Sequence, residues 1–408
     1  MAIIKAFKPI HYDLEKVLLN EVIAPPYDVI SPAERETLLQ RSPHNVVSID
    51  LPVGGTDKYE RAAETFNKWL AESVLMQESA DKFYIYEQEF SYNGKSYVRT
   101  GLLGLLKLEN FGKGSVYPHE KTLSAPKQDR LELMRATQAN FSPIFGLYLD
   151  EKNIIYRYKQ GLPNVSTVDY ENIKHSLWAI DETANLAELQ TFMADKSIYI
   201  ADGHHRYETA LTYRDEMRDK DGSQTDMPYD YIMMFFVNFY DPGLLVLPTH
   251  RVVDLQNGIT PDSLVNALKT DFDVKLCNKE DYLPTTGQIL IRANGITHIL
   301  TAKKALIDTF PQPYRAVDTY TLEHGILKKH LMFSDAQLLA KQGLHFYQEL
   351  EDVYSETDSS SGAKVGFVLA GLPAETIKEV SENGLVMPQK STYFYPKPVT
   401  GLAFNLLK

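Results

Sequence analysis

The chain has 408 residues, 44% hydrophobic and 24% charged, with a formal net charge of -12. This exceeds the usual single-domain size of about 100 to 200 residues, so two or three lobes sharing one body are expected, folded along nearly all their length. The acidic balance excludes a broad surface for polyanions, whose affinity comes from many Lys and Arg contacts; no nucleic-acid partner is expected, and a local anion pocket stays open.

No secretory signal is visible after Met1, and the longest apolar runs, such as Tyr231 to Phe239, are only strand length. A cytoplasmic protein without a membrane span is therefore expected, and no heptad declares an oligomeric state. The single cysteine, Cys277, excludes an internal disulfide framework and any multi-cysteine metal site. It ends the alternating stretch from Asp271, which reads as a strand burying a small thiol.

Taken in chain order, Ile23 to Ser31 comes first: its paired prolines force an extended turn that either presents Tyr27 and Asp28 or serves as a rigid strand entry. Ala62, Phe66, Trp69 and Leu70 recur at helical spacing after Thr56 and Asp57, which can cap an amphipathic helix between Gly55 and Leu75. Lys82 to Ser91 and Lys95 to Leu108 flank Asn93-Gly94 and predict a hairpin with a two-residue turn.

The stretch Tyr117 to Thr122, then Pro126 to Arg130 and Arg135, packs both charge signs closely. Glu120 there can act as a base toward a hydroxyl, beside His119. Lys127, Arg130 and Arg135 can neutralise a phosphoryl group, or the cluster is a solvated helix start with surface ion pairs. A helix is predicted from Asp129 to Asn140 and a strand from Pro143 to Leu149. Next, Ser197 to Ala201 reads as a buried strand and Tyr207 to Arg218 as a helix, with Asp202-Gly-His-His-Arg206 between them. Tyr231 to Tyr240 and Leu244 to Val253 read as strands around Asp241-Pro-Gly243. Ser355 to Gly362 reads as a mobile loop. In Met387 to Lys397, Lys390, Ser391 and Thr392 can meet an anion, although no Walker loop precedes them. The sum is an α+β architecture with mixed and antiparallel sheets.

A strand running through a glycine turn into a helix gathers backbone N–H groups and the positive end of the helix dipole at one point, where anions bind. Gly203 permits close approach or a positive φ, His204 and His205 can move protons, and Arg206 can grip a phosphate with two donors. Asp202 can hold Mg²⁺ or an amine. The structural alternative is that Asp202 caps the helix, one histidine packs internally and Arg206 pairs with Glu208 or Asp215. No His-Glu-x-x-His helix and no Gly-x-Ser-x-Gly elbow occurs.

Seven segments together resemble the bacterial and archaeal family long labelled a domain of unknown function, DUF1015. They are Ala24 to Ser31, Pro43-His-Asn45, Pro118-His-Glu120, Pro126 to Arg130, Ile200 to Ala210, Leu247-Pro-Thr-His-Arg251 and Met387 to Lys397. The resemblance adds His250 and Arg251 to the candidate site residues. Asp202 to Glu208 also resembles the Gly-x-His-Arg signature of the ParB/sulfiredoxin superfamily, whose members set that turn on nucleotide phosphates and include free-serine kinases. That likeness implies a strand-turn-helix nucleotide site in a central region of 151–260, between an N-terminal lobe of 1–150 and a C-terminal lobe of 261–408. It also implies a kinase moving a phosphoryl group from ATP or another donor, with Mg²⁺, to a small hydroxyl compound such as free L-serine. Glu120 is then the base, Asp202, His204 and His205 arrange the reactants, Asp202 meets the metal, and Gly203, Arg206, Lys127, Arg130, Arg135 and Lys390 hold phosphate. The alternative from the same likeness is a ParB-like regulatory protein that binds nucleotide without an acceptor.

Overall fold

The computed structural model describes residues 1–120, 124–222, 224–278 and 282–408, the side chains of 124–126 excepted. These divide into a first unit, Met1–Pro118, Thr122–Leu244 and Pro396–Lys408, and a second, His119–Lys121 and Leu245–Tyr395. The architecture is α+β with mixed and antiparallel sheets. Among the described residues, no helix is long and apolar enough to cross a membrane.

The first unit is built on a nine-stranded sheet. Its strands are β1 (Ile4–Lys5), β2 (Phe83–Tyr92), β3 (Lys95–Lys107), β4 (Val116–Tyr117), β5 (Ile144–Tyr148), β6 (Val165–Val168), β7 (Lys174–Ile180), β8 (Ile198–Asp202) and β9 (Tyr231–Asn238). They run in the order β4-β8-β5-β9-β3-β2-β7-β6, with β1 also on β3. Among the described residues of this sheet, only β8 with β4 and β9 with β5 pair in parallel. The Asn93-Gly94 turn joins β2 to β3 as expected, both residues taking the positive φ that matches strand twist. All eight residues of β9 are buried, as befits an uninterrupted apolar strand between two neighbours.

Three helices matter for the site: α1 (Lys58–Ala71), α2 (Ser124–Thr137) and α3 (His204–Asp221). Helix α1 buries Ala62, Phe66 and Trp69, as its periodicity predicts, and packs against Leu133 and Phe141. Asp57 sits at its N-cap position but pairs with Arg61 instead of capping. Helices α2 and α3 lay Leu131, Met134, Tyr207 and Ala210 onto Ile144, Ile198 and Met234 of the sheet. Helix α2 begins at Ser124 and stops at Thr137, earlier at both ends than predicted. Gln138 breaks it with φ 50, and Ala139–Asn140 leaves as a strand.

In the second unit all strand pairs of a six-stranded sheet are antiparallel. Its strands are β10 (His250–Asp254), β11 (Phe272–Leu276), β12 (Gln288–Ala293), β13 (Ile296–Ala302), β14 (Leu344–Tyr347) and β15 (Lys364–Leu369), in the order β11-β13-β12-β15-β10-β14. Leu322 and Ile326, from the helical stretch Asp318–Leu322 and the π-helical turn Glu323–Lys328 after it, pack on Val253, Ile291 and Phe367.

The chain also departs from expectation at Ser355 to Asp358 and at Cys277. Ser355 to Asp358 belong to a helix, Leu350–Asp358, because Val353 and Thr357 give that polar stretch a buried side; only Ser359 onward leaves it. Cys277 is half-buried, since β11 ends one residue before it.

Candidate functional site

The turn after β8 is shaped by a register irregularity between Ile200 and Asp202 where β8 pairs with β5, a bulge of the kind that re-aims side chains at strand ends. Gly203 follows with φ 95 and forms the N-cap of α3, with no side-chain cap. The helix therefore starts at His204, three residues before the predicted Tyr207, and His204, His205 and Arg206 form its first turn. His204 is buried and His205 half-buried.

Asp202 does not cap the helix. Arg206 Nη2 donates to its Oδ2 at 2.6 Å, and Lys397 Nζ donates to its Oδ1. Arg206 thus pairs four residues back across the helix start, and neither Glu208 nor Asp215 is its partner. Its other terminal nitrogen donates to Ser142 Oγ at 3.1 Å and to the Pro143 carbonyl. The side chains of Asp202, Arg206 and Lys397 are 11%, 9% and 12% exposed, so the cluster is strongly desolvated.

Gly203 is required twice over. A Cβ there would lie 3.0 Å from Arg206 Nε, on top of the left-handed backbone. Gly203→Ala is expected to cost about 1–3 kcal/mol and to push Arg206 off Asp202, measured as a lower urea midpoint in tryptophan fluorescence. Both tryptophans, Trp69 and Trp178, lie in the first unit, so this signal reports on it alone.

Beside the turn, Tyr27, Asp50, Arg130, Ser142 and Arg206 line a cavity of about 40 Å³. Arg130 lies 4.1 Å over the Tyr27 ring, donates to Asp129 Oδ2 at 2.6 Å and to the Asp50 carbonyl, and reaches Asp50 Oδ1 at 3.4 Å. Burial pushes the Asp50 carboxyl up, with Arg130 and Arg206 opposing. Burial likewise pushes the Tyr27 hydroxyl to about 12. Asp28 is exposed. Asp129 is raised by burial but held down at about 2 by Arg130, Lys58 and Tyr59.

The other two cations of the α2 cluster join helices. Lys127 pairs with Glu208 at 2.6 Å, and Arg135 pairs with Glu216 and, at 2.7 Å, with Glu132. The spacing of eight between Lys127 and Arg135 and between Glu208 and Glu216 makes two rungs between α2 and α3. Lys121 and Thr122 lie outside the described residues.

The remaining candidates gather in the second unit. His119 is buried, its Nε2 3.0 Å from Thr392 Oγ1, and its carbonyl accepts from Met387 N. Glu120 bridges to Met387. Arg251 donates to the carbonyls of Thr249, Gln389 (3.0 Å) and Lys390 (2.8 Å). Lys390 thus offers its backbone oxygen to Arg251, while its side chain is exposed. Ser391 Oγ donates to the Pro388 carbonyl at 2.6 Å.

His250 accepts at Nδ1 from the Leu369 N–H at 3.2 Å, which requires the neutral ring, and burial with Arg251 lowers its pKa to about 4. A folded-state pKa below the ordinary 6.5 means that unfolding takes up a proton. Its stabilising contribution is complete above pH 6.5 and disappears as pH falls toward 4. The expected loss is about 3 kcal/mol, read as faster hydrogen exchange of β10 and β15 amides, and His250→Asn should flatten it.

Sequence reasoning missed Asp50, Ser142 and Lys397 as site residues. Lys397 carried a signal, a lysine held between Pro396 and Pro398 at the end of the last cluster, but nothing in the sequence tied it to Asp202.

Among the described residues no group of three or more His, Cys, Asp or Glu is placed to hold a metal ion, and both oxygens of Asp202 already accept from cations.

Comparison with curated proteins gives no match. Among solved structures, the chain is similar to a conserved hypothetical protein from Pyrococcus furiosus, at 14% identity and TM-score 0.36, covering 72% of this chain and 92% of that one. It is also similar to a free serine kinase variant in complex with ADP, at 12% identity and TM-score 0.37, covering 71% and 89%. A C-terminally truncated SbnI from Staphylococcus aureus is similar at 9% identity and TM-score 0.40, covering 74% and 87%. The sequence profile of one family matches residues 4–321, most of the chain, and the chain belongs to that family, described as Protein of unknown function (DUF1015).

Proposed function

We propose that this protein transfers a phosphoryl group from a nucleotide, ATP or another donor, to the hydroxyl of a small molecule such as free L-serine. The observation that carries this reading is the meeting of Lys397 and Arg206 on Asp202 at the first turn of an eighteen-residue helix entered through Gly203. Phosphoryl transfer asks mainly for positioning and for positive charge around the moving group. A helix start without a side-chain cap supplies N–H donors and a dipole, and a lysine supplies a mobile point charge.

In this reading Arg206, spent on Asp202, Ser142 and Pro143, fixes the carboxylate. Lys397 turns from Asp202 to the phosphate. The acceptor oxygen bonds to the γ-phosphorus, the bond to the β-phosphate oxygen breaks, and the hydroxyl proton passes to Asp202. Magnesium would arrive on the nucleotide's own phosphates, the usual way that ion is held beside one or two carboxylates. The 40 Å³ cavity has room for about one or two waters, so the donor approaches where Gly203 and His205 are half-buried. Lys127, Arg130 and Arg135 hold the framework, and His204 and His205 remain proton-handling candidates. Glu120 is the other candidate base, and its place in the second unit makes Glu120→Gln and Asp202→Asn separable tests.

The purified protein, incubated with ATP, Mg²⁺ and a pool of amino acids and polyols, should release ADP in proportion to a phosphorylated acceptor seen by mass spectrometry. Nucleotide bound with no acceptor modified would replace this reading with the regulatory one.

A further inference from the structure

A cavity of about 410 Å³ in the second unit lies apart from the turn after β8 and is of a size that suits a small organic ligand. Arg251, 5% exposed, lines it. A buried guanidinium is expensive unless its charge is met, and among the described residues its donors meet only neutral carbonyl oxygens. Burial lowers its pKa to about 10, with Glu120 and Glu323 acting against that from nearby.

Gln389, which also lines the cavity, holds a buried side-chain Nε2 that donates to no described residue. A buried donor without an acceptor costs about 1–3 kcal/mol and calls for a partner. The two residues are neighbours in space, since the Gln389 carbonyl accepts from Arg251.

The other charges lining the cavity already answer one another. Lys328 meets Glu323 at 3.2 Å and Asp335 at 2.7 Å, and it donates to His324 Nε2 at 3.2 Å. The His324 ring stacks on Tyr320 at 3.8 Å. The walls between are apolar, from Leu327, Leu338, Leu344 and Phe346. The π-helical turn that supplies Glu323 to Lys328 is a distortion frequent at functional sites.

We propose that this cavity binds a small amphipathic organic anion, its carboxylate or phosphate head on Arg251 and Gln389 and its apolar body along Leu327, Leu338 and Phe346. The inference stands on the second unit alone and does not depend on phosphoryl transfer at Asp202.

The test titrates the full chain with phenyl phosphate, phenylacetate and, as a neutral control, benzyl alcohol by isothermal calorimetry. At least one anion should bind, benzyl alcohol should bind more weakly, and the stronger anion identifies the head group. Gln389→Met, which keeps length and volume, should weaken the anion about tenfold or more, as should Arg251→Met if it folds, while Asp202→Asn should leave it unchanged. No binding by either anion up to about 10 mM, equal affinity for benzyl alcohol, or undiminished anion affinity in Gln389→Met would each overturn the proposal.

Discussion

Asp202→Ala is expected to lower the stability of the first unit by about 3–5 kcal/mol, the cost of leaving buried charge without its partner. Arg206 and Lys397 both converge on this carboxylate from positions less than 13% exposed, where water screens them little. Asp202→Asn keeps the shape and one accepting oxygen, so it should cost less and preserve the fold while removing the charge. Urea unfolding followed by tryptophan fluorescence separates the two variants. An alanine variant within about 1 kcal/mol of the parent would show that the cluster is not held by charge.

Arg130→Met is expected to cost a similar amount, about 3–5 kcal/mol, because it strands the buried Asp50, while Asp129 keeps Lys58 and Tyr59. Its pH dependence is the sharper signature. Burial already raises the folded pKa of Asp50, and the Arg130 guanidinium is the main group opposing that rise. An acid whose folded pKa exceeds its unfolded value releases its proton more readily on unfolding. Its contribution to stability is therefore lost as pH climbs from the ordinary carboxylate range through the folded pKa. Without Arg130 the rise is larger, so the variant should lose more stability than the parent as pH climbs above the ordinary carboxylate range. The same fluorescence signal at several pH values checks this, and parallel pH profiles would rule it out.

These two clusters show how far the sequence could be read. The strand, the glycine turn and the helix around Asp202 were legible because each has a local cause: an apolar run, a residue without Cβ, and helical spacing. So were the Asn93-Gly94 hairpin and the buried side of α1. The start of α3 at His204 was not, because Gly203 itself serves as the cap and leaves the polar His-His-Arg run inside the first turn. Nor were the roles of the cations in α2. Arg130 turns inward to Asp50 and Tyr27, while Lys127 and Arg135 turn to α3. That choice depends on which helix packs alongside, which one chain's periodicity does not specify.

Long-range partners were the other gap. Lys397 reaches Asp202 from 195 residues away, and Arg130 reaches Asp50 across 80. Such pairs join segments far apart in sequence through tertiary packing and not through any local pattern. The helix through Ser355 to Asp358 was hidden for a different reason, since its polar composition masked Val353 and Thr357 at helical spacing.

The most direct test of the central claim follows the γ-phosphoryl group itself. Radiolabelled ATP is incubated with Mg²⁺, the acceptor pool and either the parent protein or Asp202→Asn, and label in small-molecule acceptors is measured after removing protein and nucleotide. The account predicts labelled acceptor with the parent and none above background with the folded variant. Labelling by Asp202→Asn at the parental rate, or no labelled acceptor with the parent, would contradict it.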